Sequence, residues 1–452
     1  MKKLFLFFVL VCAVVLSAGE KLPKYIILFI GDGMSTPQRM MAEEFSRKTG
    51  KGELVINHFP FHASTRTVST SSLVTDSAAA GTAIACGTKT ANGRIGVAPD
   101  GRTRFESVAE LAKKKNYKVG IVTTVTINHA TPASFYGHRI SRSQYYELGL
   151  DLVNSNFDYF AGGGVAFPTG RPAKKGAPLP NLPNIYDLAA KKGYKVLKDK
   201  KAFMALKPGS GKILYSGAPG RIPAAIDAGK EDITLAELTA KGLELLKNDK
   251  GFFLMVEGGT IDGFGHANEA ASNLREVLAL DDAVKEAVKF MKKHPQDTLI
   301  VVTGDHETGG MSMGFAGSGY AMHMERLALQ KVSIGKFASL LKDARQAKKD
   351  FSYADAQKMI TKYFGLQFTG NPKKDPMALS AEQKKALEAA YKKNRLPGAL
   401  KTVMNQKAGI GWTTGAHTAL PVLTTATGVQ AKRFSGFIDN TDIARTLKSL
   451  LK

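Results

Sequence analysis

The sequence predicts an α/β protein with a large, mostly parallel central β-sheet that is flanked by helices on both faces. Short apolar runs recur along the chain, and they are followed by glycine-rich or polar turns and then by helical patterns. This order is typical of β-α-β units, in which a helix connects two parallel strands. Of the 452 residues, 44% are hydrophobic and 23% charged, so the chain has a globular composition and enough apolar side chains for a large core.

Residues 1–18 predict a secretory signal peptide. Two lysines precede an apolar run at 4–16, and Ser17 and Ala18 follow it. This three-part pattern favours cleavage and export, either to the periplasm or to the medium. The alternative is a membrane anchor, but the run is shorter than the roughly 20 residues that a spanning helix needs, so we expect no stable anchor.

The cysteine content limits how the exported chain can be stabilised. Cys12 lies within the predicted signal and lacks the small-residue context of a lipid-modified cysteine, so a lipoprotein is the weaker alternative. Cys86 then remains alone in the mature chain, and one cysteine cannot form an internal disulfide. We therefore expect the core and bound metal ions to hold the fold together.

Strands of the sheet are predicted at residues 25–30, 119–122, 252–256 and 298–302. Helices are predicted to begin at Thr234 and Ser380, because each is followed three positions later by Glu or Gln, the spacing of a capping box. From about residue 314 to 411 the sequence has lysine-rich amphipathic helical patterns, which glycine and proline interrupt. We interpret this segment as an insertion over the sheet, within one domain at 19–452.

The net charge of +24 at pH 7 indicates anionic partners. A field of that sign attracts anions from solution. The lysines lie at scattered helix-face positions, without a recognised nucleic-acid module or interleaved aromatic pairs, so we expect no specific nucleic-acid partner. Small anionic substrates and solubility explain the charge more simply.

Residues that bind metal ions well follow several predicted strands, where open α/β sheets gather their ligands. Asp32 follows the first strand between two glycines, which permit a tight turn and close approach to an ion, although alone it also suits a helix cap. The other candidates are Glu257, Asp262 and His266 after one strand, Asp305 and His306 after another, and His417 beyond the lysine-rich segment. Carboxylates and imidazoles in this arrangement favour metal binding over packing, whereas His417 gains weight only from the others.

Ser77 begins a run of small helix-forming residues in the segment 74–82. A serine there would lie at a helix N-terminus, where free N–H groups and the helix dipole favour an anion. The alternative is that Asp76 or Ser77 only caps the helix. The spacing alone leaves both interpretations open.

Taken together, these motifs resemble those of the alkaline phosphatase family. The segment 74–82 is similar to the family's signature around its nucleophilic serine, and the other four motifs, Asp32, 257–266, 305–306 and His417, occur in the family's order. The resemblance runs from Tyr25 to about residue 422, apart from the insertion. It implies hydrolysis of small phosphate monoesters to an alcohol and inorganic phosphate through a phosphoserine on Ser77, and it suggests a homodimer.

The resemblance also implies a role for each candidate. Asp262, His266 and His417 would hold one zinc ion, and Asp32, Asp305 and His306 a second. Asp32 would also bind one magnesium ion together with Thr131 and Glu257. Arg142 would bind the substrate beside Ser77, although Arg139 lies nearby, while Asp76 and His129 would support the site without touching the ions.

Two positions depart from the family's pattern. His129 stands where family members carry either an acid or a histidine, and Gly263 stands where many carry a basic residue. Because glycine has no side chain that could hold phosphate through water, we expect weaker product binding and altered magnesium dependence. The remaining histidines are expected to be structural or exposed: His58, His62, His138, His294 and His323.

Three other functions are compatible with parts of the pattern. A sulfatase needs a modifiable Cys or Ser followed by Pro and Arg, and the sequence around Cys86 lacks this motif. A phosphodiesterase or phosphomutase would use similar metals, but Thr131, Glu257 and Arg142 together favour a dianionic terminal phosphate. A non-catalytic phosphate- or metal-binding protein would lack a nucleophile or a ligand, and none is missing.

Overall fold

The computed structural model describes residues 21–172 and 180–452. The predicted signal peptide at 1–18 lies outside the described residues. The strands are β1 (Tyr25–Gly31), β2 (Phe61–Arg66), β3 (Lys118–Thr123), β4 (Tyr159–Gly162), β5 (Tyr194–Leu197), β6 (Lys212–Ser216), β7 (Phe252–Gly258), β8 (Thr298–Gly304), β9 (Glu307–Thr308), β10 (Ser312–Met313), β11 (Ile410–Gly411), β12 (His417–Thr418), β13 (Val422–Gly428) and β14 (Gly436–Asp439).

Ten of these strands form one sheet in the order β14-β2-β13-β8-β1-β7-β3-β4-β6-β5. All pairings are parallel except those of β13, which is antiparallel to both β2 and β8. The predicted α/β fold with a mostly parallel sheet is confirmed. The four strands predicted from sequence are β8, β1, β7 and β3, which are neighbours at the centre, because strands covered on both faces are apolar throughout.

The helices are α1 (Thr36–Lys48), α2 (Ser77–Cys86), α3 (Val108–Lys114), α4 (Ala130–Ala133), α5 (Tyr145–Asn154), α6 (Ile185–Lys191), α7 (Lys200–Met204), α8 (Leu235–Leu246), α9 (Thr260–His266), α10 (Ala270–Lys293), α11 (Ile334–Ala347), α12 (Tyr353–Phe364), α13 (Ala381–Lys392), α14 (Leu396–Ala408) and α15 (Asn440–Leu450). Short 3₁₀ helices lie at Val55–Asn57, Met324–Leu329 and Ala431–Arg433. Thr234 and Ser380 cap α8 and α13 through capping boxes, as predicted. No helix in the described ranges is long and apolar enough to cross a membrane.

Each face of the sheet is covered by its own layer of helices. Along β1, Ile27 and Phe29 belong to a hydrophobic cluster that includes residues of α1, α8 and α10. Ile26 and Leu28 point to the opposite face and belong to a second cluster, with residues of α2, α3 and α15. All seven residues of β1 are buried, which explains why its sequence is apolar without alternation.

The lysine-rich helices have a hydrophobic cluster of their own. Residues of α11, α12, α13 and α14, including Phe337, Ile360, Leu387 and Leu400, pack into a third cluster. The exposed faces of these helices carry the lysines. The interpretation of this segment as an insertion stays a prediction.

Candidate metal centre and active site

The central strands bring the predicted acidic residues to one edge of the sheet. β1 lies between β7 and β8, and its last residue is in register with the last residue of each neighbour. Asp32 and Asp305 therefore follow adjacent strand ends, and Glu257 lies one residue before the end of β7. Gly33 turns the chain after Asp32 with a φ of +71°, and a Cβ there would lie 2.7 Å from Thr308 Oγ1, so the position requires glycine.

We call Asp32, Asp305 and His306 the buried cluster, because all three residues are fully shielded from solvent. One possible ligand atom from each lies within 4.8 Å of the others. His306 Nε2 is 3.4 Å from Asp32 Oδ1 and 3.3 Å from Asp305 Oδ2. Ser77 Oγ lies 3.1 Å from His306 Nε2, so the serine hydroxyl reaches the place where the three side chains meet.

We call Asp262, His266 and His417 the open cluster, because the side chain of His266 is 42% exposed. Asp262 and His266 are four residues apart on α9 and therefore lie on one helix face. His417 comes from β12, which pairs with β9 just after His306. The ligand atoms of the three residues lie within 4.8 Å of one another, and the rings of His306 and His417 stack at 3.7 Å, so the two clusters touch.

The hydrogen bonds of the open cluster leave a place for a cation. His266 Nδ1 lies 2.7 Å from the carbonyl of Gly415, and His417 Nδ1 lies 2.8 Å from the carbonyl of Thr75. Because a carbonyl only accepts, both Nδ1 atoms carry the proton. The two Nε2 atoms face each other at 3.1 Å beside Asp262, an arrangement that requires either an extra proton or a metal ion between them.

Asp32 also belongs to a third group, which contains Glu257, His129 and Thr131. Ligand atoms of Asp32, His129 and Glu257 lie within 4.8 Å of one another, and Thr131 Oγ1 is 3.4 Å from Asp32 Oδ2. His129 Nδ1 lies 3.9 Å from Asp32 Oδ2, and its role in supporting the site without touching the ions stays a prediction. In the described structure, the buried atoms Glu257 Oε1, His129 Nδ1 and Asp305 Oδ2 have no hydrogen-bond partner, which fits a set of donors arranged for cations.

The electrostatics of these groups also call for positive charge. Burial and repulsion by neighbouring carboxylates raise the pKa of Asp32 well above its ordinary value. Burial, and secondarily the charge of Asp305, raises the pKa of Glu257 to about 8, and burial raises that of Asp305 to about 7. In the open cluster, the hydrogen bond to Asp262 raises the pKa of His266 to about 9. Divalent cations would offset this concentration of negative charge, so the residues fit a metal centre.

Ser77 and Arg142 are held together by Asp76. Asp76 Oδ1 accepts a hydrogen bond from the backbone N–H of Ala79 and caps α2, while Ser77 is the first residue of that helix. Asp76 Oδ2 accepts from Arg142 Nη1 at 3.1 Å, and Arg142 Nη2 lies 3.2 Å from His129 Nε2. The alternative, Arg139, pairs with Asp151 instead. The structure thus brings all predicted site residues together, with Asp76 as the cap and Ser77 facing the candidate metal ligands.

Sequence reasoning missed two threonines that hold the ligands. Thr308 Oγ1 donates to Asp262 Oδ1 at 2.6 Å and lies 3.3 Å from His306 Nδ1, so it joins the two clusters. Thr123 Oγ1 donates a short hydrogen bond to Glu257 Oε2. Both could have been suspected from their position, because Thr123 ends β3 and Thr308 follows His306 by two residues.

Comparison with known proteins identifies the family. The sequence profile of the alkaline phosphatases matches residues 23–452. This chain belongs to the alkaline phosphatase family. Alkaline phosphatase 3 of Bacillus subtilis (strain 168) is 32% identical over 443 residues, which cover 95% of this chain and 89% of that protein. The prediction that the chain is an enzyme of this family is confirmed.

Solved structures of the family share the fold. The cold-active alkaline phosphatase of Shewanella sp. matches with a TM-score of 0.80 and 30% identity, covering 95% of this chain and 100% of that one. The alkaline phosphatase of Thermus thermophilus has a TM-score of 0.79 and 26% identity, covering 96% and 92%. A variant of the enzyme from the Antarctic bacterium TAB5, with Mg bound in its M3 site, has a TM-score of 0.67 and 26% identity, covering 96% and 99%.

Proposed function

We propose that this alkaline phosphatase hydrolyses phosphate monoesters through a covalent phosphoserine on Ser77. The position of the Ser77 hydroxyl carries this proposal. Its Oγ lies 3.1 Å from His306 Nε2 and 3.5 Å from Asp32 Oδ1, at the first residue of α2. A helix-capping role alone does not explain why the serine hydroxyl contacts two buried candidate metal ligands.

The donor sets suggest which ion each group holds. Aspartate with histidine, as in the open and buried clusters, suits zinc, and we propose one zinc ion for each. Carboxylates with a hydroxyl suit magnesium, and we propose one magnesium ion for Asp32, Thr131 and Glu257. When bound, such ions lower the pKa of a hydroxyl or water that they contact and offset negative charge on a leaving oxygen.

The chain's own residues order the reaction. Ser77 Oγ forms a bond to phosphorus while the bond between phosphorus and the ester oxygen breaks, and the alcohol leaves on the opposite side with a proton. Water then attacks the phosphoserine from that side, which releases inorganic phosphate and restores the serine. Each displacement inverts the configuration at phosphorus, so the overall reaction proceeds with retention.

Arg142 and α2 bind the phosphoryl group that is transferred. The planar guanidinium of Arg142 presents parallel N–H donors that match two non-bridging phosphate oxygens, a fit that lysine lacks. Asp76 orients this fork through its 3.1 Å contact with Nη1. The N-terminus of α2 adds free N–H groups and the positive end of its dipole beside Ser77.

Turnover of p-nitrophenyl phosphate tests the proposal. We expect chelation to abolish the activity of the wild type, and zinc with magnesium to restore it. Ser77→Ala should lower kcat on the order of 10⁴-fold or more, the scale on which loss of a catalytic nucleophile acts. The control is Ser339→Ala, which removes the hydroxyl of a serine on the exposed side of α11. Wild-type activity in Ser77→Ala would refute the serine mechanism.

We propose export on the signal pattern at residues 1–18 and homodimer formation on the family resemblance. The predicted signal would be removed, so the amino terminus of the mature protein should begin close to residue 19. Amino-terminal sequencing of protein from the periplasm or the medium tests the first proposal, and light scattering coupled to size-exclusion chromatography tests the second. An uncleaved amino terminus or a monomer would refute the respective proposal.

A further inference from the structure

The side chain of Arg221 reaches the position that Gly263 leaves open. Gly263 lies on the exposed side of α9, next to Asp262 of the open cluster. If Gly263 carried a Cβ, the nearest atom beyond its own helix backbone would be Arg221 Nη1, at 3.8 Å. A guanidinium from a segment more than forty residues upstream therefore stands beside the open cluster.

The backbone around Arg221 is tied to the same edge of the sheet. The carbonyl of Gly220 accepts from the N–H of Gly164 at 2.7 Å, and the N–H of Ile222 donates to the carbonyl of Thr124 at 2.9 Å. Thr124 follows β3 and accepts, through its Oγ1, the N–H of Thr260 at the start of α9. The backbone is thus anchored on both sides of Arg221, and one of the two anchors, Thr124, also contacts the start of α9.

The guanidinium of Arg221 packs on an aromatic ring, and its N–H groups are available to an anion. It lies over the ring of Phe264, 5.5 Å from the centroid, and Phe264 is only 5% exposed. Arg221 itself is exposed, and within 21–172 and 180–452 it makes no ion pair and donates no hydrogen bond. Arg142, in contrast, is paired with Asp76. Arg221 can therefore bind an anion without first breaking an ion pair.

The position of Arg221 relative to Ser77 indicates which part of a substrate it would meet. From Ser77, contacts run outward through His306 and His417 to His266, with a ring distance of 3.7 Å and an Nε2–Nε2 distance of 3.1 Å. Arg221 approaches α9 at Gly263, between Asp262 and His266 of the open cluster, whereas Ser77 contacts the buried cluster. In an in-line displacement the leaving group departs away from the nucleophile, so Arg221 borders the leaving group.

We propose that Arg221 is a specificity-determining residue that recognises a second negative charge on the leaving group. This inference rests on the proposed function, because it takes the orientation of the ester from attack by Ser77. The favoured substrates are phosphate monoesters whose alcohol part carries a carboxylate or another phosphate. The planar guanidinium matches the two oxygens of such a group.

Two esters that differ in one charge test this assignment. 4-Carboxyphenyl phosphate and 4-carbamoylphenyl phosphate have similar shape, and only the first carries an anion on the leaving group. We define the preference as the ratio of their kcat/KM values. Arg221→Ala should lower this preference about five- to tenfold, the range expected for a charge-assisted contact at a solvent-accessible site, and should leave the carbamoyl ester nearly unchanged.

Matched variants separate this contact from a change in net charge. Arg345→Ala removes a half-buried arginine that also lies over an aromatic ring, Tyr391 at 4.7 Å, but on the lysine-rich helices. It should leave the preference unchanged. Arg221→Lys, which keeps the positive charge but lacks the planar fork, should retain part of the preference.

Binding of the non-hydrolysable 4-carboxybenzyl and 4-carbamoylbenzyl phosphonates, measured by calorimetry, gives a readout independent of turnover. Arg221→Ala should weaken the carboxylate compound selectively. An unchanged preference would make Arg221 a surface residue, and an equal loss for both compounds would assign it to the phosphoryl group; either result overturns the proposal. If the wild type hydrolyses neither ester, the proposed function fails, whereas the two dissociation constants still decide the role of Arg221.

Discussion

The buried cluster and the open cluster are in contact with each other, yet solvent reaches them very differently. Asp32, Asp305 and His306 are completely buried, whereas the side chain of His266 in the open cluster is 42% exposed. Ser77 lies against the buried cluster. In the proposed reaction the nucleophile needs a fixed position away from water and the leaving group needs an exit to solvent, and the difference in exposure is consistent with these two requirements.

Removing one candidate ligand from each cluster should cause the largest losses of activity and should show whether the two clusters differ in their roles. We expect Asp305→Ala to lower kcat/KM on the order of 10³-fold, because a metal ion beside the nucleophile contributes several kcal/mol. His266→Ala should cost less, about 10- to 100-fold, because water can replace an exposed ligand. Steady-state kinetics with added zinc and magnesium measures both.

The exposed Asp282, in α10, provides the control for these variants, since Asp282→Ala removes a carboxylate that pairs only with Lys285. It should retain full activity. Equal losses in Asp305→Ala and His266→Ala would contradict the division of roles between the clusters.

Chelation should remove metal from the open cluster before the buried one. Exposure gives a chelator direct access to the ligands of the open cluster, whereas the buried cluster must first open. We expect zinc content to fall in two phases, with the second phase accompanied by a drop in Tm, because ions bound only to the folded state stabilise it. The fast phase should be absent in His266→Ala, and a single phase in the wild type would contradict this order.

A further group of two glutamates and a histidine meets the same distance criterion but is expected not to bind a metal ion. Ligand atoms of Glu43, Glu53 and His58 also lie within 4.8 Å of one another. However, Glu43 accepts a hydrogen bond from Asn57, Glu53 pairs with Arg47, and half of the His58 side chain is exposed. His58→Ala should therefore leave zinc content and activity unchanged, as measured by metal analysis and turnover. Loss of a metal equivalent would contradict this interpretation.

The smallest expected effect is the lack of reactivity of Cys86, which lies at the opposite end of α2 from Ser77. Ser77 begins the helix beside the candidate metal ligands, whereas Cys86 ends it within the core and is 5% exposed. Burial raises the pKa of Cys86 to about 12, so the thiol stays protonated through pH 9 and only strongly alkaline solution would ionise it. We expect no reaction with a disulfide reagent at pH 8 until the protein is unfolded. Rapid labelling of the folded protein would contradict this.

The sequence predicted the centre of the molecule better than its edges. Strands β8, β1, β7 and β3 are apolar throughout because helices cover both faces, and that pattern is visible in the sequence. Strands β2 and β14, at one side of the sheet, were not predicted, because β2 alternates buried residues with exposed polar ones and β14 has only four residues. The antiparallel course of β13 depends on tertiary pairing, which a local pattern does not encode.

The prediction of site residues was limited in the same way, because it relied on local sequence patterns. Asp32 and Asp305 were predicted because residues at the ends of buried strands converge at one edge of a parallel sheet. Arg221 was missed because it follows no motif and reaches Gly263 from a distant segment. The expectation of weaker product binding from Gly263 considered one position alone, and it stays a prediction. Packing between distant segments places the Arg221 side chain beside Gly263.

The phosphoserine is the central claim, and it can be observed directly. Wild-type enzyme with restored zinc and magnesium is mixed with p-nitrophenyl phosphate and quenched in acid during turnover, over a series of pH values. Peptide mass spectrometry then locates any bound phosphate. The proposed mechanism predicts phosphate on Ser77, and no bound phosphate in the Ser77→Ala variant treated in the same way. Continued hydrolysis with Ser77 unmodified at every pH, or phosphate on another residue, would contradict it.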